Sequence, residues 1–167
     1  HLAGEPFFYG QWTSAEHNKI FNSRVITTRH LMKTALSVPS LKVIICSTAP
    51  NIYGDGRDDI LTDDVSPGRG ELAQHCLQWE NEIFSSENPK VRRLALRMGL
   101  VLCPDSGFMF KASSVLRSRL GKPFHNRQQW IPWLHINDLI GLIDLCLKKS
   151  NLAGPMNASS PAPVLTS

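Results

Sequence analysis

The sequence predicts an α/β fold built on a mostly parallel sheet, and three observations carry that expectation. Segments with helical periodicity alternate with short apolar runs along the whole chain, the pattern of repeated βαβ units. The run LKVIICS at 41–47 is nearly continuous in apolar character, as in strands covered on both faces. The composition, 42% apolar and 19% charged over 167 residues, suits a soluble domain large enough to bury a core.

The elements follow in order. TSAEHNKIFNSRVITTRHLMKTALSV is a long helix opened by a capping box, Thr13 with Glu16 three residues on. Helical spacing puts Ile20, Arg24, Thr27, Thr28, Leu31 and Ala35 on related faces, and Pro39 stops the helix. After the LKVIICS strand, the segment from Pro50 to Gly70 is rich in Gly, Asp, Pro and Asn. It is expected to be a long loop, and such loops in compact domains usually serve function. ELAQHCLQWENEIF is the second helix, VRRLALRMGLVL one strand ended by CPDSG, and FMFKASSVLRSRL a third helix. QQWIPWLHI is extended, with Pro132 marking an edge or a bulge. NDLIGLIDLCLKK is a fourth helix, with Asn137 or Asp138 at its start and Lys148-Lys149 matching the dipole at its end. A short strand, MNAS, follows.

Several function classes are excluded or bounded. No stretch of about 18 uncharged apolar residues occurs, so no spanning helix is expected and no membrane partner. The net charge of +4, from 18 Lys and Arg against 14 Asp and Glu, fits phosphate-bearing ligands but is too small to single out nucleic acid, which is not expected as a partner. Cys46, Cys76, Cys103 and Cys146 form no Cys-x-x-Cys pair, which favours reduced thiols, a cytoplasmic setting and no metal use. HLAG opens the chain with no strand before it, and PAPVLTS closes it just after one; both ends are expected to be cuts through a longer fold.

HLAGEP, SRVITTR, the strand ending in Ser47-Thr48 with Tyr53-Gly54-Asp55 beyond it, LRMGLVL, WIPWLHINDL and GPMNASSPAPV occur in an order that resembles the NAD(P)-dependent epimerase/dehydratase family. Within the extended and atypical short-chain dehydrogenases the chain looks most like the sugar-nucleotide-epimerase-like branch. The resemblance covers essentially the whole chain and implies a Rossmann-type doubly wound sheet carrying NAD or NADP. Here that fold would be incomplete, without its first βα units and with part of the small C-terminal substrate lobe. Residues 1–103 would be the C-terminal part of the dinucleotide-binding domain. Residues 104–167 would be a substrate-lobe segment interleaved with its last elements, all in one compact unit. No Gly-x-x-Gly-x-x-Gly turn occurs in the sequence, so the chain by itself should bind a dinucleotide poorly or not at all.

The resemblance also assigns roles. His1, Leu2, Ala3 and Gly4 match a strand end that lets the cofactor approach; an ordinary strand-to-loop junction is the alternative. Arg24 matches a polar helix residue facing the active site, or is simply a solvated helical Arg. Thr48, or its neighbour Ser47, falls where a catalytic hydroxyl polarises the substrate oxygen, and Tyr53 lies on the substrate side unless it is only tucked under the loop. Arg97 lies at the nicotinamide or substrate end of its strand, or pairs with a carboxylate. Arg117, Arg119, Lys122 and Arg127, beside Phe124, Trp130 and Trp133, would grip a diphosphate and stack a base. Trp133-x-His135-x-x-Asp138 is a signature with an orienting role. The superfamily's Tyr-x-x-x-Lys acid/base pair is replaced by Leu72 and Cys76, and the resemblance implies that this branch generally lacks it. Tyr53 and His75 remain as acid/base candidates, although His75 is expected to be exposed, and nothing in the sequence lowers the Cys76 pKa. Two readings result. One is a fragment of an epimerase/dehydratase-like oxidoreductase acting on a nucleotide-sugar or another small hydroxyl or carbonyl substrate. The alternative is a dinucleotide-binding or regulatory protein that has lost the pair.

Overall fold

The computed structural model describes residues 1–5, 13–85, 88–105, 107 and 129–165. The segment expected to form the third helix, with Arg117, Arg119, Lys122 and Arg127, lies outside the described residues. Helix α1 spans Ser14–Ala35, and the Thr13 hydroxyl accepts from the Glu16 N–H, the Thr13 half of the expected capping box. Its buried stripe is Ile20, Val25, Thr28 and Met32. That departs from the expected face: Thr27 is exposed, because at 100° per residue the stripe drifts away from it along 22 residues.

Strand β1 (Val43–Thr48) runs into a 3-10 turn at Pro50–Tyr53, then the polar loop, then helix α2 (Glu71–Phe84). The loop folds back over the turn: the Gly68 N–H donates to the Ile52 carbonyl at 2.9 Å. A Cβ on Gly68 would fall inside the Tyr53 carbonyl, so this approach needs glycine.

VRRLALRMGLVL is two strands, not one. β2 (Arg92–Met98) stays in the main sheet, and β3 (Leu100–Leu102) leaves it to pair with β5 (Trp133–His135). Gly99 makes the switch possible, since a Cβ there would lie 2.7 Å from the Pro132 carbonyl oxygen. Pro132 likewise divides the expected extended segment into β4 (Trp130–Ile131) and β5. Helix α3 (Ile136–Lys148) starts one residue earlier than expected, with Asn137 and Asp138 in its first turn, and its cap is His135. The His135 Nδ1 accepts from the Asn137 N–H at 3.2 Å. β6 (Gly154–Ala158) and a strand without a sequence signal, β7 (Val164–Leu165), complete the described elements.

The main sheet has the order β1-β2-β6, all parallel. Helices cover both faces, as the doubly wound expectation requires. On one face α1 and α2 pack with the sheet around Met32, Leu36, Cys46, Ile83, Val91 and Ala95. On the other, α3 packs around Leu94, Leu96, Leu139, Cys146 and Ala158, joined by Leu134. No described helix is long and apolar enough to cross a membrane.

Candidate active site

Parallel strands open their carboxyl ends toward a common crevice, where doubly wound folds place ligands. At that end the register aligns Thr48 of β1 with Arg97 of β2, and Arg97 with Asn157 of β6. Register partners share a face, so one row of polar side chains crosses all three strands. Arg97 and Glu80 of α2 are 4% and 6% exposed and form a bidentate pair: Arg97 Nε and Nη2 donate to the two Glu80 oxygens at 3.0 and 2.7 Å. Thr48 Oγ1 donates to Glu80 at 3.3 Å. Arg97 Nη1 donates to the Tyr53 hydroxyl at 2.7 Å, and that hydroxyl donates to Asn157 Oδ1 at 2.7 Å. The loop closes the set, with the Asp63 carboxylate accepting from the Asn157 N–H and the Asp63 and Leu61 carbonyls accepting from Arg97 and Asn157.

The electrostatics follow from this packing. Burial works to lower the Arg97 pKa, but the hydrogen bonds to Glu80 and Tyr53 and the Glu80 charge outweigh it and raise it overall. The guanidinium is therefore a permanent cation beside Thr48 and Tyr53. Of the expected site residues, Thr48, Tyr53 and Arg97 come together here. Ser47 alternates to the opposite face, level with Leu96, and its N–H donates to the His1 carbonyl. The sequence reasoning missed Glu80, Asn157 and Asp63. A signal existed for Glu80: it sits in the apolar stripe of α2 with Ala73, Cys76 and Ile83, and a carboxylate in such a stripe needs a buried cationic partner.

A family model described as the NAD dependent epimerase/dehydratase family matches residues 1–158. The chain belongs to this family. It is 27% identical over 163 residues to an epimerase family protein of Mycobacterium bovis, covering 98% of this chain and 54% of that one; the chain thus spans about half the length of such relatives. In structure it resembles the human epimerase family protein SDR39U1, solved with NADPH, with a TM-score of 0.88 at 24% identity over 98% of this chain and 57% of that one. A nucleoside-diphosphate sugar epimerase from Corynebacterium glutamicum is 28% identical with a TM-score of 0.79, over 95% of this chain and 34% of that one.

The remaining expected site positions are placed as follows. Leu72 is exposed at the start of α2, and Cys76 is buried one turn later. Burial pushes the Cys76 thiol up, and although the Arg24 charge opposes this and Glu80 adds to it, the result is about 12; the thiol stays protonated and inert at neutral pH. His75 is half-buried rather than exposed. The His1 backbone pairs with β1, and its ring meets Thr28 Oγ1 at 3.0 Å, which also accepts from Trp79 Nε1. Leu2 and Ala3 are exposed; Gly4 lies against Arg24, where a Cβ would be 3.1 Å from the guanidinium carbon. Arg24 itself donates to the Glu5 and Ile20 carbonyls and lies 5.5 Å over the Trp79 ring, so it is anchored inside the fold, not solvated. Trp130 is 41% exposed, with Nε1 donating to Asp58.

Proposed function

We propose that this chain is the carboxyl-side part of an NAD(P)-dependent oxidoreductase of the epimerase/dehydratase type, whose complete form acts on a small hydroxyl or carbonyl substrate. The observation that supports this most is the row Thr48, Arg97, Asn157 across the carboxyl ends of three parallel strands. The family's description as NAD dependent supports the cofactor, and the sugar epimerase title of the Corynebacterium relative supports a nucleotide-sugar as the substrate class. A dinucleotide fits the residues present in part. Leu2 to Gly4 continue from His1, which pairs with β1, and so lie beside the tip of that strand, where they form one wall of a site. The pyrophosphate turn would come from sequence beyond this segment. Cys46, Cys76 and Cys146 are buried and form no disulfide, which supports a reducing, cytoplasmic setting.

When bound, the nicotinamide supplies and accepts hydride. The chain's own residues bind and orient. Thr48 donates to Glu80 and so keeps its oxygen lone pairs for a substrate hydroxyl, while Arg97 fixes Glu80 and through it the hydroxyl's direction. The Thr48–Glu80 bond, at 3.3 Å, is the longest side-chain bond of the set, and is the one a substrate could most easily exchange. The basic residues Arg117, Arg119, Lys122 and Arg127, with Trp130, are assigned the diphosphate and base on the family resemblance.

A second reading is favoured by one specific observation. Leu72 and the protonated Cys76 supply no acid/base group, and both Thr48 and Tyr53 already donate to internal acceptors. That protein would bind a dinucleotide without turning over. The test uses the complete protein, NADPH fluorescence, and transfer of deuterium from carbon-labelled nucleotide-sugars to NADP⁺ or from labelled NADPH to keto-sugar nucleotides. The first reading requires both binding and transfer, with transfer reduced about 10- to 1000-fold in Thr48→Ala. Binding without transfer establishes the second reading, and no binding at all refutes both.

A further inference from the structure

Outside that network, the two helices on the α1/α2 face bring together three metal-ligating side chains. His17 comes from the first turns of α1; Glu71 and His75 come from α2, four residues apart and therefore on one helical face. One ligand atom from each lies within 4.8 Å of the other two, the one such cluster among the described residues. His17 Nδ1 and Glu71 Oε1 are 3.4 Å apart, already close to the roughly 3.3 Å between ligands of a tetrahedral ion with bonds of about 2.05 Å. The His17 and His75 rings lie 4.6 Å apart at 38°, and Phe21 packs on His75 at 4.3 Å. Both histidines also border a small, apolar cavity of about 30 Å³ walled by Phe21, Leu72, Cys76 and Trp79, which packs their rings from behind.

We propose that His17, Glu71 and His75 form a site for a divalent transition-metal ion of the zinc type. Two imidazoles and one carboxylate are the donor set such ions prefer, with a fourth position left for water. The imidazole rings are held in place by packing, while the Glu71 side chain, 76% exposed, is free to swing the short distance that closes the shell. Arg24 lines the same cavity, but its guanidinium is turned to the Glu5 and Ile20 carbonyls and the Trp79 face. The bound ion would clamp the N-terminal ends of α1 and α2 together. The pair Glu71/His75 also sits one residue before Leu72/Cys76, so the helix that lacks the acid/base pair carries a ligand pair instead. This inference does not depend on the proposed oxidoreductase reading.

The test is Co²⁺ titration of the 167-residue chain, with no dinucleotide present, followed by visible absorption and thermal unfolding with Zn²⁺. The expected result is one equivalent of Co²⁺ giving the ligand-field bands of a four-coordinate nitrogen and oxygen site, and a Tm raised by Zn²⁺ and returned to its starting value by EDTA. His75→Ala should abolish the bands. Should that variant fold poorly, Glu71→Gln, at an exposed position, should weaken Co²⁺ binding at least tenfold while leaving the metal-free Tm unchanged. Absence of stoichiometric binding, bands unaltered in Glu71→Gln, or a strong sulfur-to-metal band marking cysteine ligation elsewhere would each overturn the proposal.

Discussion

Glu80 and Arg97 are each nearly sealed from water, and each is the other's buried charge partner. Removing one partner leaves an uncompensated ion in the interior, a change that typically costs about 3–5 kcal/mol. Glu80→Ala is therefore expected to lower the unfolding free energy by that amount, measured by urea denaturation. A loss below about 1 kcal/mol would mean that water reaches Arg97 and that the row is not a sealed network. The buried thiols give a second prediction at this scale. Burial raises Cys46 to about 11 against the opposing charge of the chain's amino terminus, and Cys76 to about 12, above the 9.0 of an open thiol. The unfolded chain then ionises first, so stability is intact below pH 9 and falls as pH rises through 9 toward 11–12. A urea midpoint flat from pH 8.5 to 10.5 in this chain, once matched Cys→Ala variants have subtracted other groups, would contradict it. The sequence disclosed half of this site. Thr48, Tyr53 and Arg97 stand out as polar residues at a strand tip, whereas Asn157 and Asp63 carry no local signal, because only the register of β6 and the fold-back of the loop bring them in.

At the scale of elements, helix and strand identities were legible because their periods are strong, and the boundaries were not. The strand break at Gly99 depends on how closely Pro132 approaches it, a tertiary fact with no periodic trace. The end of α3 shows a similar blindness. Lys148 stands in the last turn as expected and also pairs with Asp144 at 2.7 Å; carbonyls of the last turn are taken by a strand residue, which no periodicity announces. Arg92 of β2 donates to the carbonyls of Cys146 and Leu147, which the helix end leaves orphaned, and to that of Leu152 in the following loop. Arg92→Ala should cost about 1–3 kcal/mol and reduce far-ultraviolet helicity. Arg92→Lys should recover little of it, because an ammonium cannot span three carbonyls as a planar fork does. If the lysine variant matches the parent in Tm, charge alone stabilises the helix end and the fork geometry is irrelevant.

The whole molecule hangs on one sheet. β2 is its central strand, hydrogen-bonded on both sides and covered by an apolar cluster on each face. β4 and β7 form a two-residue antiparallel pair whose residues Trp130, Val164 and Leu165 are exposed. Local opening should therefore be graded: amides open most rarely where ladder bonds and apolar burial coincide, and most often where neither is present. Hydrogen exchange followed by mass spectrometry is expected to show the slowest uptake in Leu94 to Leu96 and the fastest among the strands in β4 and β7. The polar row belongs to the slow set, since Thr48, Arg97 and Asn157 sit at the ends of the three main strands. Its rigidity thus comes from the sheet below it as well as from its own hydrogen bonds. Glu80→Ala separates the two sources: it should speed exchange at the carboxyl end of β2 and in the Asp63 loop, and speed Leu94 to Leu96 only through the loss of global stability. Equal uptake in β2 and β4 in the parent protein would show that the main sheet is not the most stable unit, and would remove the scaffold on which the site depends.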